Sequence, residues 1–323
     1  MREWPRIRDD EDMTDDRGAA APRIGVVGLG RMGLPIAHRL AASGYDVTGF
    51  DVAEDRMTKA RGAGIRMARS AREMGRECGV LVVVLPGAAE FRDALIGPDG
   101  ALGSMAPGST WLDLTSNDPR VAAEIATRSA AAGVHAVGAP MGGGPAEAGS
   151  GGLRFQLSGA AAGRAVALPL LAALARPDGV RDLGDDISAG YTAKLLVNTL
   201  WFGQVAAVTE AMLLAERLGI APSDFQDLLA GSAADSAFVR DHLGRLIDGD
   251  DATTFGLAGC VAELDIVQQL AHGSGTPFSL TDEVVRLHRE ALREIGPRDG
   301  EMLVARLLAA RAGDSALAAA DPA

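Results

Sequence analysis

The chain has 323 residues, 47% of them hydrophobic, and a formal net charge of −12. That length admits two domains with sizeable cores, and the charge argues against nucleic acid or an anionic membrane as partner, since either favours a basic face. No stretch has the length and purity of a membrane span, and the N-terminus lacks the apolar core of a signal peptide. Residues 1–22 and 312–323 read as disordered tails. Cys78 and Cys260, the two cysteines, make no metal spacing and fit a reduced, cytoplasmic chain.

Ile24, Val26 and Val27 form a short apolar run that breaks at Gly28-Leu29-Gly30-Arg31-Met32-Gly33. A helix follows with apolar positions at Met32, Ile36, Ala37 and Leu40; Gly44 ends it, and residues 47–50 supply a second strand ending at Asp51. Strand, glycine turn, helix, strand and acid is the order that dinucleotide binding needs. The first glycine permits the tight turn, the second lets backbone approach a pyrophosphate, and the third lets the helix pack on the strand. Free N–H groups at the helix start then hold the phosphates. Asp51 stands where a carboxylate accepts from ribose hydroxyls and repels a 2′-phosphate, which favours NAD over NADP; Arg56, one turn on, is the residue that opposes this.

The α/β pattern continues. Helices are predicted over 55–62, 70–78, 89–96, 120–132 and 164–174, and strands over 65–68, 80–85, 109–114, 135–139, 153–158 and 180–183. The unbroken apolar run over 80–85 suits the middle of a parallel sheet, and Leu85-Pro86-Gly87 stops it. Asp118 can cap the helix that Pro119 opens. Thr115-Ser116 and Gly142-Gly143-Gly144 both follow strands and so lie on the carboxyl edge of the sheet, where open α/β folds bind ligands.

At Gly184-Asp185-Asp186 the character changes. Residues 188–217 form one long helical pattern, apolar on nearly every face, and helices over 222–230, 234–246, 261–272, 280–295 and 301–310 follow with no strand and no repeat. The predicted architecture is α/β: a doubly wound (Rossmann) dinucleotide-binding domain over 23–187, then an all-α domain over 188–311 for substrate and dimerisation, joined by the long interdomain helix. A helix apolar all round is buried in its own domain or against a second subunit. A homodimer or higher homo-oligomer is therefore expected.

Of the 31 lysines and arginines only Lys59 and Lys194 are lysines. Arginine serves a structural ion pair but cannot exchange a proton, so a lysine inside an apolar helix points to proton transfer. An apolar surround also lowers an amine's pKa toward the working range of an acid or base. Asn198, four residues on, shares the face of Lys194 and can orient a substrate oxygen beside the amine. Trp201 and Phe202, one turn further, are expected to add an apolar wall. His38, His135, His242, His272 and His288 fall at no metal or triad spacing.

These motifs, in this order, resemble the β-hydroxyacid dehydrogenase family, which includes 3-hydroxyisobutyrate dehydrogenase and tartronate semialdehyde reductase and is related to 6-phosphogluconate dehydrogenase. The resemblance spans about residues 23–310. It implies that Gly28, Leu29, Gly30, Arg31, Met32 and Gly33 form the cofactor loop, with Asp51, Leu85, Pro86 and Thr115 as further cofactor contacts. Ala139-Pro140-Met141-Gly142-Gly143-Gly144 is similar to the substrate loop, and Gly190-Tyr191-Thr192-Ala193-Lys194 with Asn198 to the catalytic helix. By that similarity Lys194 is the general acid/base, while Asn198, Thr115, Gly142, Gly143 and Gly144 hold a small-molecule substrate. The implied activity is NAD(P)-dependent hydride transfer between nicotinamide and a 3-hydroxy acid or related alcohol/carbonyl pair, with no metal. Imine reductases share a related fold, and Tyr191 keeps that alternative open; a cofactor-binding scaffold without turnover is another. Three departures from the family pattern stand out: Gly142 stands for serine, Gly138 for aspartate, and Ala262-Glu263-Leu264 for lysine, aspartate and leucine. A substrate bulkier or less anionic than 3-hydroxyisobutyrate is expected.

Overall fold

The structure is a computed structural model that describes residues 22–313 and 317; the two expected tails lie almost wholly outside the described residues. Six parallel strands run in the order β3-β2-β1-β4-β5-β6. They are β1 (Ile24–Val27), β2 (Val47–Phe50), β3 (Arg66–Met67), β4 (Val80–Val83), β5 (Thr110–Asp113) and β6 (His135–Gly138). This is the doubly wound strand order, in which the chain reverses direction between β1 and β4 and opens a crevice at their carboxyl ends. Five helices make the crossovers: α1 (Gly33–Ala42), α2 (Glu54–Gly62), α3 (Ala71–Glu77), α4 (Ala88–Ile96) and α5 (Pro119–Ala131).

Alternation along the strands builds a core on each face. Ile24, Val26, Val80, Val82 and Leu112 face one way, and Val27, Leu81, Val83 and Trp111 the other. Every residue of β4 is buried, as a central parallel strand requires, and each such side chain contributes roughly 1.5–3 kcal/mol. Asp118 caps α5 by accepting from Arg120 N at 2.8 Å, with Pro119 at the first helical position.

Beyond β6 the sheet turns antiparallel. β7 (Met141–Gly142) and β8 (Leu153–Gly159) flank α6 (Pro145–Ser150); β8 pairs antiparallel with β6 and β7, and parallel with β9 (Ala175–Asp182), which follows α7 (Ala161–Leu174). β7 and α6 are too short, at two and six residues, to leave a period in the sequence.

α8 (Ile187–Arg217) joins the two halves. Asp186 caps it by accepting from Ser188 N at 2.9 Å. It packs on α5, β6 and β8 of the first half and on α9 (Pro222–Leu229), α12 (Leu257–Ser274), α13 (Ser279–Ile295) and α14 (Leu303–Ala312) of the second. The helix is not buried on every side within one chain: Leu196, Val197 and Leu200 are exposed, Leu200 at 69%. The single helix predicted over 234–246 is two, α10 (Ala237–Asp241) and α11 (Leu243–Ile247), broken where His242 leaves helical geometry and its ring packs on Trp201, centroids 4.6 Å apart. Among the described residues the second half contains helices and no strand, with Val205, Phe238, Leu243, Val304 and Leu308 in its core.

Candidate active site

Because β1, β2, β4, β5 and β6 are parallel, the segments that follow them all emerge on one edge. The glycine turn follows β1, Asp51 follows β2, Leu85-Pro86 follows β4, Thr115 follows β5 and the triple glycine follows β6.

The glycine turn is built as its spacing predicts. A Cβ on Gly28 would lie 2.1 Å from Val84 O, and one on Gly33 would lie 1.8 Å from Gly28 O, so neither position admits a side chain. Gly30 faces open space instead, with the Arg56 guanidinium its nearest neighbour at 3.7 Å from such a Cβ. Among the described residues no acceptor takes the N–H groups of Gly30, Arg31 or Met32. Orphan donors at a helix start, beside a glycine with room above it, fit a dinucleotide pyrophosphate. Asp51 is buried; its carboxylate accepts from Leu29 N at 2.7 Å and Ala53 N at 2.9 Å, and Arg56 Nη1 stands 3.4 Å away.

Thr115 braces this edge from inside. It is buried, and its hydroxyl accepts from Leu85 N at 3.1 Å, so the segments after β4 and β5 are tied to each other. Behind it sits Asp113, fully buried, which accepts from Thr115 N at 3.0 Å, Asn117 Nδ2 at 3.0 Å and Tyr191 Oη at 2.9 Å. Burial pushes the Asp113 carboxyl up to about 6 against those hydrogen bonds. Gly138 makes room for the tyrosine: a Cβ there would stand 2.6 Å from the Tyr191 ring.

Tyr191 and Gly190 set the rotation of α8. Gly190 N donates to Ser158 Oγ at 3.0 Å, and a Cβ on Gly190 would lie 2.4 Å from Gln156 O, so the helix start is pressed against β8. One turn later Lys194 emerges partly buried, its Nζ donating to Asn198 Oδ1 at 2.9 Å. Asn198 Nδ2 donates in turn to Glu263 Oε2, 2.6 Å away on α12. Lys59, the other lysine, is exposed on α2.

The second half of the chain closes on this edge through two loops. Residues 250–256 and 296–302 are clasped by Gly300 N to Phe255 O at 2.9 Å, Leu257 N to Arg298 O at 2.9 Å, and the buried ion pair Arg306–Asp251 at 2.7 Å. Arg31 of the glycine turn reaches them, donating to Asp299 at 2.9 and 3.2 Å and to Thr253 O at 3.2 Å. Thr254 lies against the triple glycine, 3.5 Å from a Cβ built on Gly144, and donates to Glu301 Oε1 at 3.2 Å. Burial raises the Glu301 carboxyl above the usual carboxylate range, while Lys194 in its electrostatic reach pulls it down. The buried Trp201 indole N–H also faces Glu301 without closing a full hydrogen bond. Gly144 N, at the start of α6, donates to Glu147 Oε2 at 2.9 Å.

Residues 23–188 match the family model for the NAD binding domain of 6-phosphogluconate dehydrogenase, and residues 188–308 that for the NAD-binding domain of NADP-dependent 3-hydroxyisobutyrate dehydrogenase. The L-threonate dehydrogenase of Cupriavidus necator is 30% identical over 258 residues, 80% of this chain and 86% of that one. A 3-hydroxyisobutyrate dehydrogenase structure from Salmonella typhimurium superimposes with a TM-score of 0.77 at 27% identity, covering 88% of this chain and 99% of that one. The chain belongs to the β-hydroxyacid dehydrogenase family. It is an oxidoreductase of that family with a nicotinamide dinucleotide as cofactor. An imine reductase from Pseudomonas sp. shares the fold alone, with a TM-score of 0.57 at 23% identity over 90% of this chain and all of that one.

Set against the family pattern, the structure brings Lys194 and Asn198 into contact and links Gly144 to them through Thr254 and Glu301. Gly142 and Gly143 line the same loop, and Thr115 joins the group from behind, through Asp113 and Tyr191. Phe202 does not wall the site: it is fully buried with Cys260, Leu264 and Val285, because a step of one residue from Trp201 turns it about 100° around the helix into the second core. Sequence reasoning missed Glu147, Glu301 and the Arg31–Asp299 pair. Glu147 carried one legible signal, an acid three residues after Gly144 at a helix start.

Proposed function

We propose that the chain transfers a hydride between the nicotinamide and a 3-hydroxy acid or related alcohol/carbonyl substrate, with Lys194 as general acid/base. The observation that carries this is the 2.9 Å contact of Lys194 Nζ with Asn198 Oδ1, one turn along α8 from Tyr191, which meets Asp113 at the carboxyl end of β5. The cofactor, when bound, supplies the hydride chemistry. Asn198 holds the lysine amine in place through Oδ1, and Glu263 fixes which way that amide points. Lys194 takes the hydroxyl proton during oxidation and returns it during reduction. Thr115 and Asp113 hold the loop after β5 in place beneath the cofactor segments.

The imine-reductase reading loses its support at Tyr191, whose buried hydroxyl is committed to Asp113 and presents no proton to a ligand. NAD is the favoured cofactor because a carboxylate ends β2; Arg56 beside it favours NADP as the second reading. Exposed Leu196, Val197 and Leu200 on α8 support a homodimer, with the second copy covering that stripe. The test is the nicotinamide absorbance change with a panel of hydroxy acids, amino alcohols, semialdehydes and imines. Turnover of an alcohol or aldehyde is expected; turnover of imines alone overturns the proposal.

A further inference from the structure

Gly142 and Arg154 stand opposite each other in the antiparallel register of β7 and β8. The side chains of such a pair lie on the same face of the sheet. Their neighbours fix which face it is. Met141 and Phe155, the adjoining pair, pack into the core that holds Ile36 and Leu170. Gly142 and Arg154 therefore lie on the opposite face, the one that α8 covers. Ser158, on the same side of β8 as Arg154, shows this directly: its hydroxyl accepts from Gly190 N and donates to Ile187 O, both at 3.0 Å. Strand and helix run past each other from there. Gln156 O is pressed against Gly190, 2.4 Å from a Cβ built on it. From that contact, two residues back along β8 (~7 Å) lead to Arg154, and one turn on along α8 (~6 Å) leads to Lys194.

Arg154 is exposed although β8 is not an edge strand, since β7 flanks it on one side and β9 on the other. It therefore does not serve to blunt a sheet border, the usual structural use of a charge on a strand. Among the described residues no hydrogen bond or ion pair holds its guanidinium, and Glu147 reaches it only through the electrostatic field. Glu147 itself is occupied by Gly144 N at 2.9 Å. Gly142 leaves the space beside Arg154 open: a Cβ there would have only the Arg154 Cβ, at 3.9 Å, within contact distance. Gln156, the next residue on this face, has a buried Oε1 with no partner. An unpaired guanidinium and an unpaired amide oxygen, side by side next to the triple-glycine loop, are polar groups that the chain does not satisfy by itself. The other cations near the site are committed, Lys194 to Asn198 and Arg31 to Asp299.

We propose that Arg154 receives the carboxylate of the hydroxy-acid substrate, and that the missing side chain at Gly142 opens the path to its guanidinium. This rests on the proposed hydride-transfer reading, which puts the substrate hydroxyl at Lys194. A guanidinium meets a carboxylate through two parallel N–H donors, so it fixes orientation as well as charge. With the hydroxyl at Lys194 and the carboxylate at Arg154, the carbinol carbon between them is held at two points. The space over Gly142 then takes the carbon chain that separates the two groups.

The experiment compares 3-hydroxybutanoate with its amide, 3-hydroxybutanamide, which is close in shape and differs in charge. Both are titrated by calorimetry into the full chain saturated with NADH, which cannot accept a hydride, so no turnover intervenes. The carboxylate is expected to bind at least about tenfold more tightly than the amide. Arg154→Met keeps the stem and removes the charge, and should bring the two affinities to within about threefold. Arg154→Lys should keep part of the preference, because it retains the charge without the fork. Urea unfolding of both variants should match the unmodified chain, since no bond within the fold is lost. A carboxylate preference that Arg154→Met leaves intact overturns the proposal, as does equal binding, or none, of the two probes by the unmodified chain. Loss of NADH affinity in that variant with the carboxylate preference kept would assign Arg154 to the cofactor and overturn it too. Hydride transfer from hydroxy acids, read separately, decides the underlying reading: a carboxylate preference that needs Arg154 but brings no turnover sinks that reading and leaves the anion site standing.

Discussion

Tyr191 donates its hydroxyl to Asp113 across 2.9 Å, and both side chains are sealed from solvent at the joint between the two domains. Asp113 titrates at about 6 rather than its ordinary 3.8, chiefly because burial disfavours its charge. A folded-state pKa above the unfolded one means that folding takes up a proton. This contribution is fully present below about pH 4 and is lost as pH rises through about 6. A hydrogen bond to a charged acceptor is worth ~1.5–3 kcal/mol, against ~0.5–1.5 for a neutral one. Tyr191→Phe should therefore lose about 2 kcal/mol of stability near pH 8 and roughly half that near pH 5. Denaturant unfolding at the two pH values reads it. Equal losses would mean that Asp113 keeps one protonation state throughout.

Asp251 and Arg306 are the buried pair beneath the loops that carry Thr254 and Glu301. Removing one partner strands the other charge. Asp251→Ala should lower stability by ~3–5 kcal/mol, whereas the double change Asp251→Leu with Arg306→Met should recover most of the loss. Urea midpoints of the three proteins check this, and a double variant no better than the single one would show that the ion pair is not the source.

Arg31 and Asp299 are each more than half exposed, so their pair contributes little to stability, at most ~1 kcal/mol. Its importance is positional, because Arg31 belongs to the glycine turn whose orphan N–H groups fit a pyrophosphate. Asp299→Asn should leave unfolding nearly unchanged and tighten NADH binding a few-fold, since the guanidinium is then free to meet the pyrophosphate. Fluorescence titration at low and high salt measures it; unchanged affinity would mean that Arg31 does not turn to the cofactor.

The proposed preference for NAD rests on Asp51, with Arg56 3.4 Å from its carboxylate as the opposing cation. NAD should be preferred, and Arg56→Ala should widen that preference by removing the cation nearest a 2′-phosphate. Turnover with NAD and NADP at equal concentration decides it. A preference for NADP in the unmodified chain would reverse the assignment.

What the sequence disclosed divides along physical lines. The glycine turn, the buried strand β4 and the α8 helix carry strong local periodicity, and their elements appear where they are expected. The Lys194–Asn198 pair was legible because four residues is one helical turn. Glu301 was not, because it reaches the site from a loop more than a hundred residues after Lys194 and is placed by a clasp of backbone hydrogen bonds that leaves no pattern. Glu263 was visible only as an irregular motif, and its partnership with Asn198 needed the packing of α12 on α8. The break at His242 came from tertiary contact with Trp201, which overrides local helix preference. Gly138 illustrates the same limit in reverse: its missing side chain reads as a loss until Tyr191 is seen filling the space.

Lys194 offers the most decisive experiment, since geometry and residue usage converge on it. A positioned acid/base is worth about 10²–10⁴ in rate, so Lys194→Ala should lower hydride transfer by that factor. Lys194→Arg should be nearly as poor, because arginine keeps the charge and the Asn198 contact but cannot cycle a proton near neutral pH. Affinity for NADH should change little in either variant, since the orphan N–H groups that fit a pyrophosphate lie on the glycine turn and not on α8. Asn198→Asp gives a control of the opposite kind. It keeps Oδ1 against Lys194 but places a carboxylate beside Glu263, 2.6 Å from the atom it replaces, so it should disturb the lysine's position through like-charge repulsion. Single-turnover hydride transfer and the NADH dissociation constant, measured for all three variants, separate the roles. Transfer near the unmodified rate in the arginine variant would mean that Lys194 supplies charge alone, and the proton would have to come from another group.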